Sequence, residues 1–136
     1  MWTDPRDETA ATAVARTDAA VGDSLDAQVI ASLLELGDAE FFAELVDDFV
    51  SSTRTYLDSL EVALDAEDDD AVFKTAHTMK SAAANMGATR FAEMCRTIET
   101  AGRARELGTL SGVMASLAAE FEHVRTDLVA AQSGPG

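Results

Sequence analysis

The chain offers few side chains able to act as a nucleophile or a soft metal ligand: two histidines, His77 and His123, and one cysteine, Cys95. Phe73 precedes His77 by one helical turn, Lys80 and Ser81 follow it by one, and Ala84 follows it by two. On a helix that spacing stacks them on one side of the ring. An imidazole nitrogen with a cation one turn away suits acceptance of a phosphoryl group. The neutral ring nitrogen attacks phosphorus, and the cation takes up charge on the transferring oxygens. His123 serves as an internal control: Glu120 and Asp127 flank it at helical spacing where His77 has Lys80. An exposed histidine with a lysine a turn away also arises without function, so these residues alone leave a plain surface histidine open.

The elements that must position His77 are helical. Few β-branched runs, two prolines and abundant Ala, Leu, Glu and Asp favour helices over strands. A short helix is expected over residues 25 to 36, with Val29, Ile30, Leu33 and Leu34 at helical spacing and Gly37 as its stop. It reads as a lid. A long helix follows from Asp38, with Phe42, Leu45, Val46, Phe49, Tyr56, Leu57, Leu60 and Leu64 on one stripe. A third opens on the acidic run at residues 67 to 70, which complements a helix dipole, buries Val72, Ala76, Met79, Ala83 and Met86, and closes at Gly87. On its wheel His77 lies roughly 140° from the buried stripe and points to solvent.

The fourth helix, from Thr89, turns Phe91, Met94, Cys95, Ile98 and Ala101 inward and leaves Glu99 and Arg103 as an outer ion pair, with Gly108 as its break. The fifth, over residues 110 to 131, repeats Val113, Met114, Leu117, Phe121, Val124 and Leu128. No such helix buries its stripe alone, so the expected fold is all-α: an antiparallel up-down four-helix bundle with a short N-terminal lid helix over residues 24 to 131. Residues 1 to 23 and 132 to 136 are expected to be disordered ends.

Composition removes several classes of function. The formal charge of −15 over 136 residues disfavours nucleic acid and anionic membranes as partners. One cysteine excludes an internal disulfide, and two histidines cannot assemble a Cys/His zinc site, so no metal site and no cofactor are expected. No apolar run suits a bilayer span and no signal peptide opens the chain, which points to the cytoplasm. The charge is uneven: residues 74 to 105 hold six cations and two anions, an island where an anion could be handled. The carboxylate run at 67 to 70 lacks a nearby histidine and reads as a helix start rather than a hydrolase site.

The stretch from Ala76 through His77, Met79, Lys80 and Ser81 to Gly87 and Ala88 strongly resembles the motif of histidine phosphotransfer domains, A-H-x-L-K-[SG]-x-x-x-x-x-G-A. Met79 stands for the usual Leu, and Ser81 stands where many members have Gly. Phe91, Cys95, Ile98-Glu99 and Gly102-Arg103 are similar to the family's next helix, and the likeness spans roughly residues 24 to 130.

The resemblance implies that His77 is phosphorylated, Lys80 contacts the phosphoryl group and Ser81 is the small neighbour that admits the partner. It further implies a non-enzymatic relay without autokinase activity, a monomer, whose partners are receiver domains of response regulators or hybrid kinases, with Mg²⁺ carried by the receiver. Consistent with this, no glycine-rich phosphate-binding loop is present. A sensor-kinase hairpin would place an acidic residue after the histidine, where Thr78 stands. The other reading is an acidic helical adaptor that binds receiver or kinase domains without carrying phosphate. Ile30 and Phe42 could serve either the docking surface or the core.

Overall fold

The computed structural model describes residues 24 to 132, and among them the regular structure is entirely helical. The helices are α1 (Ala27–Glu35), α2 (Ala39–Asp65), α3 (Asp69–Asn85), α4 (Thr89–Ala104) and α5 (Val113–Gln132), with a 3₁₀ turn at Leu107–Leu110. Each long helix packs on its sequence neighbour and α5 closes the ring on α2, which makes the up-down bundle expected from the stripes. The expected disordered ends, residues 1 to 23 and 133 to 136, lie outside the described residues, and Gln132 is the last residue of α5.

Three helix starts follow from aspartates. Asp26 accepts from the backbone N–H of Gln28 and Val29, Asp38 from Phe41, and Asp68 from Ala71, each satisfying donors that a helix start leaves open. Asp70 pairs with Lys74 at 2.9 Å, so two of the four carboxylates in the run start and line α3. Gly87 ends α3 in the left-handed region, at φ +74°. Its carbonyl accepts from Asp26 N–H at 2.7 Å and Val29 sits against its Cα, which ties the lid helix α1 to the end of the α3–α4 hairpin.

The core joins the expected stripes of α3 and α4 to Phe42, Val46, Phe49 and Leu60 of α2 and to Val113, Leu117, Phe121, Val124 and Leu128 of α5. Ile30 and Phe42 are both buried, which settles them as core residues rather than a docking surface. Thr53 and Ala63 join the core of α2, while Leu45, Tyr56, Leu57 and Leu64 are only half-buried, because the stripe of so long a helix drifts around its axis.

Two boundaries differ from expectation. Helix α4 ends before Gly108: Arg105 takes the left-handed position at φ 60°, and the 3₁₀ turn then carries Leu110 into the core. Residues 110 to 112 therefore precede α5 instead of opening it. Glu120 is buried on α5, whereas His123 is exposed. Asp127 accepts from Ser24 Oγ at 2.6 Å and so helps hold the chain where it enters the bundle.

Candidate functional site

The most extensive helix contact in the bundle is between α3 and α4, and His77 stands at its edge with 56% of its side chain exposed. The N-cap at Asp68 and the stop at Gly87 fix the register of α3, and its buried row of Val72, Ala76, Met79 and Ala83 fixes its rotation. His77 is thereby held outward, as its wheel position requires. Ser81 is exposed one turn further along.

Facing His77 from α4 is Glu99, with only 7% of its side chain exposed. His77 Nδ1 lies 2.7 Å from one carboxylate oxygen of Glu99, and Lys80 Nζ donates to the other at 2.6 Å. Arg103 stands one turn beyond Glu99, with an Nη2 3.7 Å from the same oxygen that meets His77. Its guanidinium lies over Phe73, 4.6 Å from the ring centroid, and the Phe73 ring is in turn 6.1 Å from that of His77. One carboxylate thus gathers a histidine and two cations at the surface of the bundle.

The electrostatics follow from these contacts. Burial of Glu99 works against its ionised form, but hydrogen bonds from Lys80 and His77 and their charges outweigh it, and the carboxyl is held below its ordinary value. An ionised carboxylate only accepts, so His77 donates to it from Nδ1–H, and in the neutral form of the ring the lone pair then falls on Nε2, on the outward side. The arrangement can present an exposed imidazole nitrogen, backed by a carboxylate and with Lys80 and Arg103 around that carboxylate. Cys95, behind this wall, is fully buried and its thiol is pushed up to about 12, mainly by burial, which leaves it inert as expected of a core cysteine.

The structure brings His77, Lys80 and Ser81 onto one face, as the sequence indicated, but corrects the place of Glu99. Expected on the outer face of α4, it is buried against α3. On the α4 wheel it lies at the margin of a buried arc centred near Phe91, Cys95, Ile98 and Gly102, and α3 packs closely enough to cover that margin. Lys80 is correspondingly tied to a carboxylate. Most of the positive island is also internally paired: Lys74, Lys80, Arg96 and Arg103 each lie beside an acidic side chain. The missed residue carried one usable signal, an acidic side chain beside an otherwise apolar stripe.

The model of the Hpt domain family matches residues 44 to 132, which is most of the bundle and the whole of this site. The chain belongs to the Hpt domain family. A solved structure agrees: the crystal structure of histidine-containing phosphotransfer protein B (HptB) from Pseudomonas aeruginosa PAO1 is 34% identical, with a TM-score of 0.76 over 82% of this chain and 96% of that one. Comparison with curated proteins gave no match. As an Hpt protein the chain is a histidine phosphotransfer component of phosphorelay signalling. No helix among the described residues of this Hpt bundle is long and apolar enough to cross a membrane.

Proposed function

We propose that His77 is the residue of this Hpt protein that carries the phosphoryl group, accepting it at Nε2 from the phosphoaspartate of a receiver domain and returning it to another. The observation that carries this reading is the 2.7 Å contact of Nδ1 with Glu99, which places the lone pair of the neutral ring on the outward nitrogen of an exposed side chain.

In the transfer, the P–O bond to the receiver's aspartate breaks as a P–N bond to His77 Nε2 forms, and the aspartate leaves as a carboxylate. Nδ1 keeps its proton, so the phosphorylated ring bears positive charge where the neutral ring bore none. Glu99 is already in place to offset it. Lys80, with 30% of its side chain exposed, can exchange its contact with Glu99 for the phosphoryl oxygens, and Arg103 remains beside the carboxylate when it does. Ser81 leaves room for the partner on the same face. Mg²⁺ and the groups that act on the aspartate belong to the receiver. Every step runs equally in reverse, which suits a relay in both directions.

The finer reading is of a cytoplasmic monomer without autokinase activity, whose partners are receiver domains of response regulators or hybrid kinases. Its receiver partners follow from membership of the Hpt family, and the lack of autokinase activity from a sequence without a glycine-rich phosphate-binding motif. Incubation with a phosphorylated receiver, followed by mass spectrometry at alkaline pH, should show acid-labile phosphate on the α3 peptide. Failure with a panel of receivers would favour the phosphate-free adaptor.

Lys80→Ala separates the role of the cation from that of the nucleophile. Loss of a charge-assisted hydrogen bond of about 1.5–3 kcal/mol in the transition state predicts a transfer rate about 10- to 100-fold lower with His77 still phosphorylated. Stopped-flow transfer rates unchanged in both directions would remove Lys80 from the mechanism.

A further inference from the structure

Where α4 packs on α3, residue 102 has no side chain and the structure leaves no room for one. A Cβ on Gly102 would lie 2.9 Å from the backbone nitrogen of Phe73, 3.1 Å from the carbonyl oxygen of Asp69 and 3.2 Å from the Cα of Phe73. All three are backbone atoms of α3, so no rotamer change relieves the crowding. Gly108 is different, for a Cβ there meets nothing within 4 Å.

The place of this contact is what gives it meaning. Gly102 lies one turn after Glu99 on α4, and Phe73 lies one turn before His77 on α3. The backbone contact therefore lies one turn from each partner of the His77–Glu99 hydrogen bond. We propose that Gly102 is a positioning residue for phosphoryl transfer: by letting the two backbones touch, it sets the helix separation at which the Glu99 carboxylate meets His77 Nδ1. This rests on the reading of His77 as the phosphoryl acceptor.

The distances show how little slack the site has. Ordinary van der Waals contact for a Cβ begins at 3.4 Å, so an alanine at 102 must move one backbone away from the other by about half an ångström. Applied to a 2.7 Å hydrogen bond, that displacement reaches the outer limit of useful geometry. Glu99 cannot simply follow His77, because its second oxygen is held by Lys80 at 2.6 Å. The stack of Arg103 on Phe73, whose backbone is the one pushed, shifts with it.

The test compares wild type, Gly102→Ala and Gly108→Ala, each alone and in a Glu99→Gln background, by receiver-to-His77 transfer rate and by ¹⁵N NMR of the imidazole. Gly102→Ala is expected to lower the rate about 3- to 10-fold and to reduce the Nδ1–H tautomer, with Gly108→Ala unchanged in both. In the Glu99→Gln background the further loss should be under about 2-fold, since the contact acts through Glu99. Equal losses in both backgrounds, or a wild-type tautomer ratio in Gly102→Ala, would reduce Gly102 to a packing residue. Should Gly102→Ala not fold, Glu99→Asp opens the same gap from the other side without touching the helix contact. It must reproduce the tautomer loss, and wild-type behaviour there would overturn the proposal. Wild-type phosphopeptide mapping is read first, so phosphate absent from His77 would fail the underlying reading and not this one.

Discussion

Replacing His77 by Gln is expected to abolish acid-labile phosphorylation by a receiver domain, while His123→Gln leaves it intact. Glutamine keeps a polar side chain on the exposed face of α3 but has no nitrogen lone pair to attack phosphorus. The loss should be to background, because the other histidine stands on α5 with Thr126 and Asp127 one turn after it, where His77 has Lys80 and Ser81. Stability separates chemistry from folding in this pair. The His77 side chain is 56% exposed and Glu99 keeps Lys80 as a partner, so His77→Gln should unfold within about 1 kcal/mol of wild type. Phosphate retained by His77→Gln and lost from His123→Gln would reverse the assignment of the site.

Glu99→Gln should slow transfer by about 10- to 100-fold and also change the acid stability of the bundle. The rate effect follows from losing a charge-assisted hydrogen bond of about 1.5–3 kcal/mol to a ring that becomes positive during the reaction. The amide retains the shape of the carboxylate, and its oxygen can still accept from Nδ1–H, so the effect isolates charge from packing. For stability the direction of the shift decides the sign. The folded-state pKa of Glu99 lies below its unfolded value, so as pH falls the unfolded chain binds this proton before the folded one does. The stabilisation from ionised Glu99 is complete above the unfolded value of about 4.3 and is lost as pH falls through the lower folded-state value. Thermal midpoints measured from pH 7 to pH 3 should therefore fall less steeply below about pH 5 in Glu99→Gln than in wild type. Parallel curves would show that the ion pairs of Glu99 do not contribute to folding.

Exposure of His77, burial of Ala76, Met79 and Ala83, the caps at Asp38 and Asp68 and the left-handed stop at Gly87 are all consequences of local order along the chain. Helical period, capping chemistry and glycine's freedom at positive φ act over a turn or two, so the sequence alone determined the four stripes, the hairpin order and the outward histidine with Lys80 beside it. The motif from Ala76 to Ala88 lies within a single helix and its stop, which is why the candidate site on α3 was legible there.

What only the tertiary structure decided is the meeting of helices. Glu99 lies 22 positions from His77, and no period on α4 distinguishes a carboxylate at the margin of a buried arc from one in solvent. The distinction depends on how closely α3 approaches, and that is set by backbone atoms meeting at Gly102. The same limit hid the burial of Glu120 and the final place of Ile30 and Phe42 in the core. Local periodicity fixes which face of a helix turns inward, while the separation and rotation of two packed helices fix which side chains at the margin touch. Here that second quantity gives His77 the carboxylate at its Nδ1.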